Sequence, residues 1–200
     1  MRDVPAELAA HPDRLKWNAK YRDGAGGSFL PHPLAERALD LALPDGPVLE
    51  LACGPSGAAL LAARSGRRVT AVDISEIALD RLGREARERG VAELITLVQA
   101  DLEVWRPDPA AYSLVLCTLY WDRTMFDAAT AAVAPGGALG WEAFTLDARR
   151  FRPEWRLSPG EPAALLPSGF TVLDQRDVDG GRRRLLAVRG AGLSTGGEPG

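Results

Sequence analysis

The chain has 200 residues, of which 46% are apolar and 26% are charged, and its formal net charge is -3. These proportions are typical of a globular protein, and the length is that of one domain with a substantial core. The small negative charge and the lack of a basic run exclude a broad electrostatic surface for nucleic acid. No stretch reaches the ~20 apolar residues of a membrane span, and the N-terminus does not resemble a signal peptide. We therefore expect a cytoplasmic protein without membrane or nucleic-acid partners.

Cysteine usage predicts neither a disulfide framework nor a metal site. Cys53 and Cys117 are the two cysteines of the chain, and they do not form a CxxC pair. We expect no bound metal and two reduced thiols, with Cys117 serving as a small core residue.

Apolar runs rich in Val, Leu and Ile alternate with helical stretches along the chain. The predicted strands are 48–52, 68–73, 94–100, 113–118, 138–145, 170–178 and 184–189. The predicted helices between them are 57–65, 76–89 and 124–133. The first four strands are almost continuously apolar, as in a parallel sheet that is covered on both faces. This alternation predicts right-handed βαβ units and a doubly wound α/β sheet.

The two ends of the chain differ from this pattern. The Asp179-Gly180-Gly181 turn between the last two strands predicts a hairpin, so the sheet should end with an antiparallel pair. Residues 1–33 precede the sheet and hold several aromatic residues, which predicts an N-terminal helical lid segment. Residues 34–190 would form the main domain, and the Gly-rich residues 191–200 would form a flexible tail.

The first predicted strand runs into a glycine turn, Glu50-Leu-Ala-Cys-Gly54-Pro55-Ser-Gly57, and then into a helix. Such a turn allows a ligand to approach the free N–H groups of the helix, although glycine can also serve the turn alone. The pattern is one substitution away from the G-x-G-x-x-G fingerprint of nicotinamide cofactors. Pro55 has no N–H to offer a pyrophosphate, and Glu50 would repel one. An acidic residue suits the cationic ammonium and sulfonium groups of S-adenosylmethionine (SAM) better.

Carboxylates also end the next two strands. Asp73 closes the second strand, where it could accept hydrogen bonds from both hydroxyls of a ribose. It could equally close a strand before Ser75 caps a helix. Asp101 follows the third strand, where an acid can meet an adenine amino group. A carboxylate that binds ribose hydroxyls, as Asp73 could, suits NAD and SAM equally well.

Four motifs in register, VLELACGPSG, VTAVDIS, QADLE and VAPGG, resemble those of class I SAM-dependent methyltransferases over residues 17–189. The branch that this chain resembles is that of the small tellurite-resistance-like methyltransferases, which include thiol methyltransferases. Trp17-Asn-Ala-Lys-Tyr21 is similar to their W-[ND]-x-[RK]-Y signature. Residues 142–145, 157–161 and 169–170 are similar to their E-x-F-T…L-x-P-G-E-L…G-F segment.

The resemblance implies a seven-stranded, mostly parallel sheet of order 3-2-1-4-5-7-6, with the seventh strand antiparallel. It also implies a SAM site. The candidate cofactor-binding residues are Trp17, Tyr21, Glu50, Ala52, Cys53, Gly54, Asp73, Ile74, Asp101, Leu102, Cys117 and Tyr120. Two positions depart from the family's D-x-G-x-G-x-G turn, because Ala52 and Ser56 replace glycines. Ser56 could alter the amino-acid end of the SAM pocket.

The methyl acceptor should bind beyond the carboxyl ends of the strands, where Tyr120 and Trp121 follow the fourth strand. Both could line the site or simply pack a loop. His32 is a further substrate-side candidate, whereas His11 is expected at the surface. No general base is identified, and a thiol or chalcogen oxyanion acceptor would need none.

The predicted function is methyl transfer to a small molecule by a monomer or homodimer. The alternatives are SAM binding without methyl transfer, by a sensor or a cyclase-like scaffold, and an NAD(P) oxidoreductase.

Overall fold

The computed structural model describes residues 3–22, 28–150 and 152–191. Within these ranges the strands are β1 (Val48–Leu51), β2 (Val69–Asp73), β3 (Ile95–Gln99), β4 (Tyr112–Thr118), β5 (Val133–Phe144), β6 (Phe170–Val178) and β7 (Arg182–Arg189). The α-helices are α1 (Pro12–Arg22), α2 (Pro33–Leu39), α3 (Gly57–Arg64), α4 (Glu76–Glu88) and α5 (Arg123–Ala132). Four 3-10 turns lie at Ala6–Leu8, Ala92–Leu94, Pro153–Trp155 and Ala163–Leu165. The predicted tail falls mostly outside the described residues.

The strands form one sheet in the order β3-β2-β1-β4-β5-β7-β6. The five strands from β3 to β5 pair in parallel, and β7 runs antiparallel to both β5 and β6. This arrangement confirms the predicted fold. Gly180 and Gly181 have φ values of +82° and +67°, which explains why two glycines form the hairpin turn.

The strand β5 begins earlier than the sequence predicts. Val133 pairs with Tyr112 and Ala138 pairs with Leu114, so the four residues between Val133 and Ala138 bulge out of the ladder. The sequence predicted strand only from Ala138, because Pro and Gly within the bulge resemble a loop. The preceding helix therefore ends at Ala132, one residue before its predicted end.

Two apolar layers cover the two faces of the sheet. On one face, Leu34, Ala59 and Leu82 come from α2, α3 and α4 and are buried against β1, β2 and β4. On the other face, Phe126 of α5 packs against Trp141 of β5. Burial of both faces explains why the parallel strands have near-continuous apolar sequences. Among the described helices, none has the length and apolar character needed to cross a membrane.

The pairing of β1 with β4 confirms the predicted switch in strand order. Leu51 lies opposite Cys117, and Cys53 follows two residues after Leu51. Cys117 is buried, Cys53 is partly exposed, and both are free thiols. The predicted placement of the acceptor beyond β4 depends on this pairing, since it brings the end of β4 beside the glycine turn.

Candidate active site

A cleft of about 320 Å³ opens at the carboxyl edge of the sheet, beneath α1. It lies where the strand order reverses between β1 and β4, which is where open α/β sheets bind ligands. Ten of the predicted cofactor residues line it: Trp17, Tyr21, Ala52, Cys53, Gly54, Asp73, Ile74, Asp101, Leu102 and Tyr120. The other lining residues are Asp13, Lys20, Pro55, Ala100, Glu103, Thr118 and Leu119. Glu50 and Cys117, also predicted, are buried and are not among these lining residues.

The turn after β1 holds two residues in the left-handed region. Ala52 has a φ of +48° and Gly54 a φ of +55°. A Cβ added to Gly54 would lie 2.9 Å from the Tyr21 hydroxyl oxygen, so a larger residue would displace the end of that side chain in addition to straining the backbone. Ala52 takes a backbone conformation that costs an L-residue about 1–2 kcal/mol. The glycine that the resembled family has at this position would avoid this cost.

Asp73 holds the turn in place from the end of β2. Its Oδ2 accepts a hydrogen bond of 2.8 Å from the Gly54 N–H, and its Oδ1 accepts one of 2.8 Å from the Ser75 N–H. Burial raises the pKa of Asp73 to about 6, although these N–H groups act in the opposite direction. Each carboxylate oxygen keeps acceptor capacity, so Asp73 can still bind hydroxyl groups in the cleft.

Ser56 links the turn after β1 to the buried carboxylate of Glu50. Its hydroxyl donates to the Glu50 carboxylate, with oxygen–oxygen distances of 2.6 and 2.7 Å. The same oxygen accepts from the N–H groups of Ala58 and Ala59 at 3.0 and 3.1 Å, and so caps α3. Burial raises the pKa of Glu50 to about 7, despite the hydrogen bond from Ser56. Ser56 is thus an N-cap that replaces a glycine, and the sequence predicted only that it could alter the pocket.

Asp101 lies at the opposite end of the cleft, after β3. Its Oδ1 accepts a 2.9 Å hydrogen bond from the Glu103 N–H. Its Oδ2 lies 3.5 Å from Nε2 of His11, which precedes α1. His11 is about one-quarter exposed and lies beside Asp101 of the cleft, a contact that its predicted surface position did not include. No local sequence pattern indicates the contact between His11 and Asp101, because it depends on how α1 docks against the sheet.

The helix α1 docks on the N-terminus of α4 through a buried polar cluster. Arg14 binds the Glu76 carboxylate with two hydrogen bonds of 2.5 and 2.9 Å. Asn18 donates to Glu76 at 2.8 Å and accepts from the Ser75 hydroxyl at 2.6 Å. Asn18 is the second residue of the W-N-x-K-Y signature, and the sequence assigned it no role. The structure shows that it holds α1 against α4.

The docked helix presents aromatic side chains to the cleft. The rings of Trp17 and Tyr21 stack with centroids 5.8 Å apart and planes at 22°. The Lys20 ammonium lies 4.5 Å from the centroid of Trp17. Both Trp17 and Tyr21 line the cleft. These contacts give the cleft an aromatic wall.

The two aromatic residues after β4 take different positions. Tyr120 lines the cleft, and burial raises its pKa well above the usual range. Trp121 is only 4% exposed and packs against Phe126 and Trp141, with ring centroids 5.4 and 6.1 Å away. Trp121 therefore belongs to the core, and it does not line the cleft as the sequence suggested.

His32 lies outside the cleft lining. Its Nδ1 accepts a 3.2 Å hydrogen bond from the Leu34 N–H and caps α2, while its Nε2 lies 3.3 Å from Glu142. Glu142 is fully buried and also binds Arg182 and Arg184, each at 2.8 Å. This ion-pair cluster joins β5 to β7, and His32 contacts the cluster through Glu142.

The cleft lining is acidic. Asp13, Asp73, Asp101 and Glu103 contribute carboxylates, whereas Lys20 is the one cation among the described lining residues. Such a site attracts a cationic ligand and repels a pyrophosphate. This acidic lining supports SAM over a nicotinamide cofactor, as the sequence of the glycine turn indicated.

Comparison with known families identifies the domain. Residues 48–137, from the start of β1 into β5, match a family described as a methyltransferase domain. Residues 48–137 therefore form a methyltransferase domain, and its cofactor is S-adenosyl-L-methionine. A search of curated proteins gives no match to this methyltransferase.

Solved structures share the fold of the methyltransferase. A SAM-dependent methyltransferase from Mesorhizobium loti is 18% identical, with a TM-score of 0.61 over 78% of this chain and 96% of that one. A geranyl diphosphate C-methyltransferase from Streptomyces coelicolor A3(2), solved with S-adenosyl-L-homocysteine, is 17% identical. Its TM-score is 0.60 over 78% of this chain and 76% of that one. The [4+2]-cyclase SpnF is 16% identical, with a TM-score of 0.66 over 94% and 98% of the two chains.

The residues of the methyltransferase cleft fit the chemistry of SAM. The acids suit its ammonium and sulfonium cations, and the buried Asp73 carboxylate offers acceptors for ribose hydroxyls. The Lys20 ammonium can bind its carboxylate. When bound, SAM supplies an electrophilic methyl group on a sulfonium.

Proposed function

We propose that this methyltransferase acts on a small-molecule acceptor in a cleft that α1 covers as a lid. The observation that carries the proposal is the acidic cleft of about 320 Å³ beneath an aromatic helix. A cleft of this size is within the range of small-ligand sites, once part of it holds the cofactor. The buried Arg14–Glu76 pair gives the lid a defined closed position.

Four of the predicted cofactor residues, together with Lys20, have proposed roles that follow from their positions. Asp73 binds the ribose hydroxyls, and Asp101 binds the adenine end. Gly54 admits the methionine end, and the buried Glu50 provides negative charge beneath the ammonium. Lys20, the single cation among the described lining residues, binds the cofactor carboxylate.

The proposed acceptor is already an anion, so it needs no base from the protein. Among the described lining residues there is no histidine. Burial raises the pKa of both Tyr21 and Tyr120, so these phenols stay protonated at neutral pH. A thiolate or a chalcogen oxyanion needs only alignment and exclusion of water. Acceptors of this kind are what the resemblance to the tellurite-resistance-like branch implies.

A second candidate is SAM binding without methyl transfer. The similarity to the [4+2]-cyclase SpnF over 94% of this chain favours it, since a cyclase can share the same fold. The acidic cleft would hold SAM in both cases, so the fate of the methyl group decides between the two functions. An NAD(P) oxidoreductase is disfavoured by Pro55 and by the same carboxylates.

Two experiments test these functions in order. Calorimetric titration with SAM, S-adenosylhomocysteine and NADH should show binding of the first two alone. Tighter binding of NADH would contradict the cofactor assignment. An assay with SAM that carries a labelled methyl group should then show transfer to at least one member of a panel of thiols, selenite, tellurite and small phenols. Tight SAM binding with no transfer across the panel would favour the non-methylating alternative.

A further inference from the structure

Three cations gather around two indole rings, and one of these rings, Trp17, lines the cleft. The Lys16 ammonium lies 5.4 Å from the centroid of Trp17 and 4.9 Å from that of Trp155. The Lys20 ammonium lies 4.5 Å from Trp17, and the Arg152 guanidinium carbon lies 5.1 Å from Trp155. These residues come from α1 and from the 3-10 turn Pro153–Trp155 with the residue before it. We name the set of Lys16, Arg152 and Trp155 the outer rim.

The cations of the outer rim are weakly neutralised by the protein itself. The Lys16 ammonium lies 3.9 Å from the Asp13 carboxylate, and the Arg152 guanidinium lies 3.9 Å from that of Glu154. The side chains in both pairs are about half exposed or more, and such pairs contribute little. Both lysines of the chain, Lys16 and Lys20, lie on α1 at this opening. Positive charge is therefore concentrated where the acidic cleft meets the solvent.

Two cations on one ring repel each other unless an anion lies between them. Lys16 and Arg152 both contact the ring of Trp155, which is 37% exposed. Leu119, which lines the cleft, is 49% exposed, so the cleft also offers an apolar surface. An anionic group beside a planar or apolar body would complement both features.

We propose that the methyl acceptor carries an anionic group attached to an aromatic or apolar body, and that the outer rim binds this part of the acceptor. This inference rests on the proposed function, since it assumes that an acceptor enters beside α1. The division of charge supports it, because the acidic interior selects the cationic cofactor while the basic rim selects an anion. Lys16 and Arg152 are then specificity-determining residues, and they hold the acceptor without taking part in proton transfer.

The test compares two probes of equal shape that differ in charge. The dissociation constants of 2-naphthoate and 2-naphthamide would be measured by calorimetry, with the protein saturated by S-adenosylhomocysteine. We expect the carboxylate to bind at least tenfold more tightly than the amide. The double variant Lys16→Met, Arg152→Met should bring the two constants within about twofold, with little change for the amide. Trp155→Ala should weaken both probes.

The control double variant is Arg64→Met, Arg84→Met, which removes the same charge from exposed positions on α3 and α4. It should keep the preference for the carboxylate. Equal binding of the two probes, no measurable binding of either, or an equal loss in both double variants would overturn the inference. Failure of S-adenosylhomocysteine to bind would instead contradict the proposed function, so the two failures are distinguishable.

Discussion

Asp73 performs two tasks with one carboxylate. It orders the turn through the Gly54 and Ser75 amides and faces the cleft, where the ribose is proposed to bind. Asp73→Ala should weaken SAM binding by about 1.5–3 kcal/mol, through lost charge-assisted hydrogen bonds. Calorimetric titration of SAM measures this change. Asp73→Asn serves as a comparison, since it keeps the shape and should recover part of the affinity. Unchanged affinity in the alanine variant would remove Asp73 from the site.

Ala52 stores backbone strain in the same turn. Its φ of +48° is unfavourable for alanine, whereas glycine adopts it freely. Ala52→Gly should therefore raise the free energy of unfolding by up to about 1 kcal/mol, after the larger unfolded-state entropy of glycine is subtracted. Urea denaturation measures this value. The matched variant Ala62→Gly, in the middle of α3, should lower stability. Destabilisation of the Ala52 variant would show that the turn is not strained.

At the scale of secondary structure, the position of α1 depends on one buried ion pair. The side chains of Arg14 and Glu76 are only 12% and 9% exposed, so removal of one partner leaves a charge with poor solvation. Arg14→Met should lower the free energy of unfolding by about 2–4 kcal/mol and weaken SAM binding, because Trp17 and Tyr21 lose their support. Thermal denaturation and SAM titration test both effects.

The control for α1 is Arg84→Met, on the exposed side of α4. This substitution should change stability by less than about 0.5 kcal/mol. Loss of stability in Arg14→Met without any loss of SAM affinity would show that α1 is a structural helix and no lid.

At the scale of the whole molecule, two buried acids make stability depend on pH. The pKa values of Glu50 and Asp73 are raised by burial to about 7 and 6, above ordinary values of 4.5 and 3.8. In the window between these values the folded state binds more protons than the unfolded state. The free energy of unfolding of the ligand-free protein should therefore fall as the pH rises from 5 to 7.

Chemical denaturation across this window tests the pH dependence, and Glu50→Gln should flatten it. SAM affinity should change in the opposite sense, rising from pH 5 to 7, because the cationic cofactor favours the ionised carboxylates. A stability that rises with pH in the wild-type protein and is unaffected by Glu50→Gln would contradict the raised pKa values.

The sequence by itself determined the alternation of strands and helices and the residues that end the first parallel strands, whereas the strand order was implied by the resemblance to class I methyltransferases. Continuous apolar runs mark strands that are buried on both faces, and turn residues mark where those strands stop. The carboxyl ends of parallel strands share one edge, so Gly54, Asp73 and Asp101 could be placed together before any coordinates were considered. Local sequence carries this information because each of these residues is fixed by its own strand.

Only the tertiary structure decided which side chains meet between distant segments. Trp121 and Tyr120 are neighbours in sequence, yet one packs in the core and the other lines the cleft. His11, expected at the surface, reaches Asp101 of the cleft, whereas His32, expected near the acceptor, reaches the buried Glu142. These outcomes depend on the docking of α1 and α2 against the sheet. That docking is set by buried contacts far apart in the chain, which a local pattern does not record.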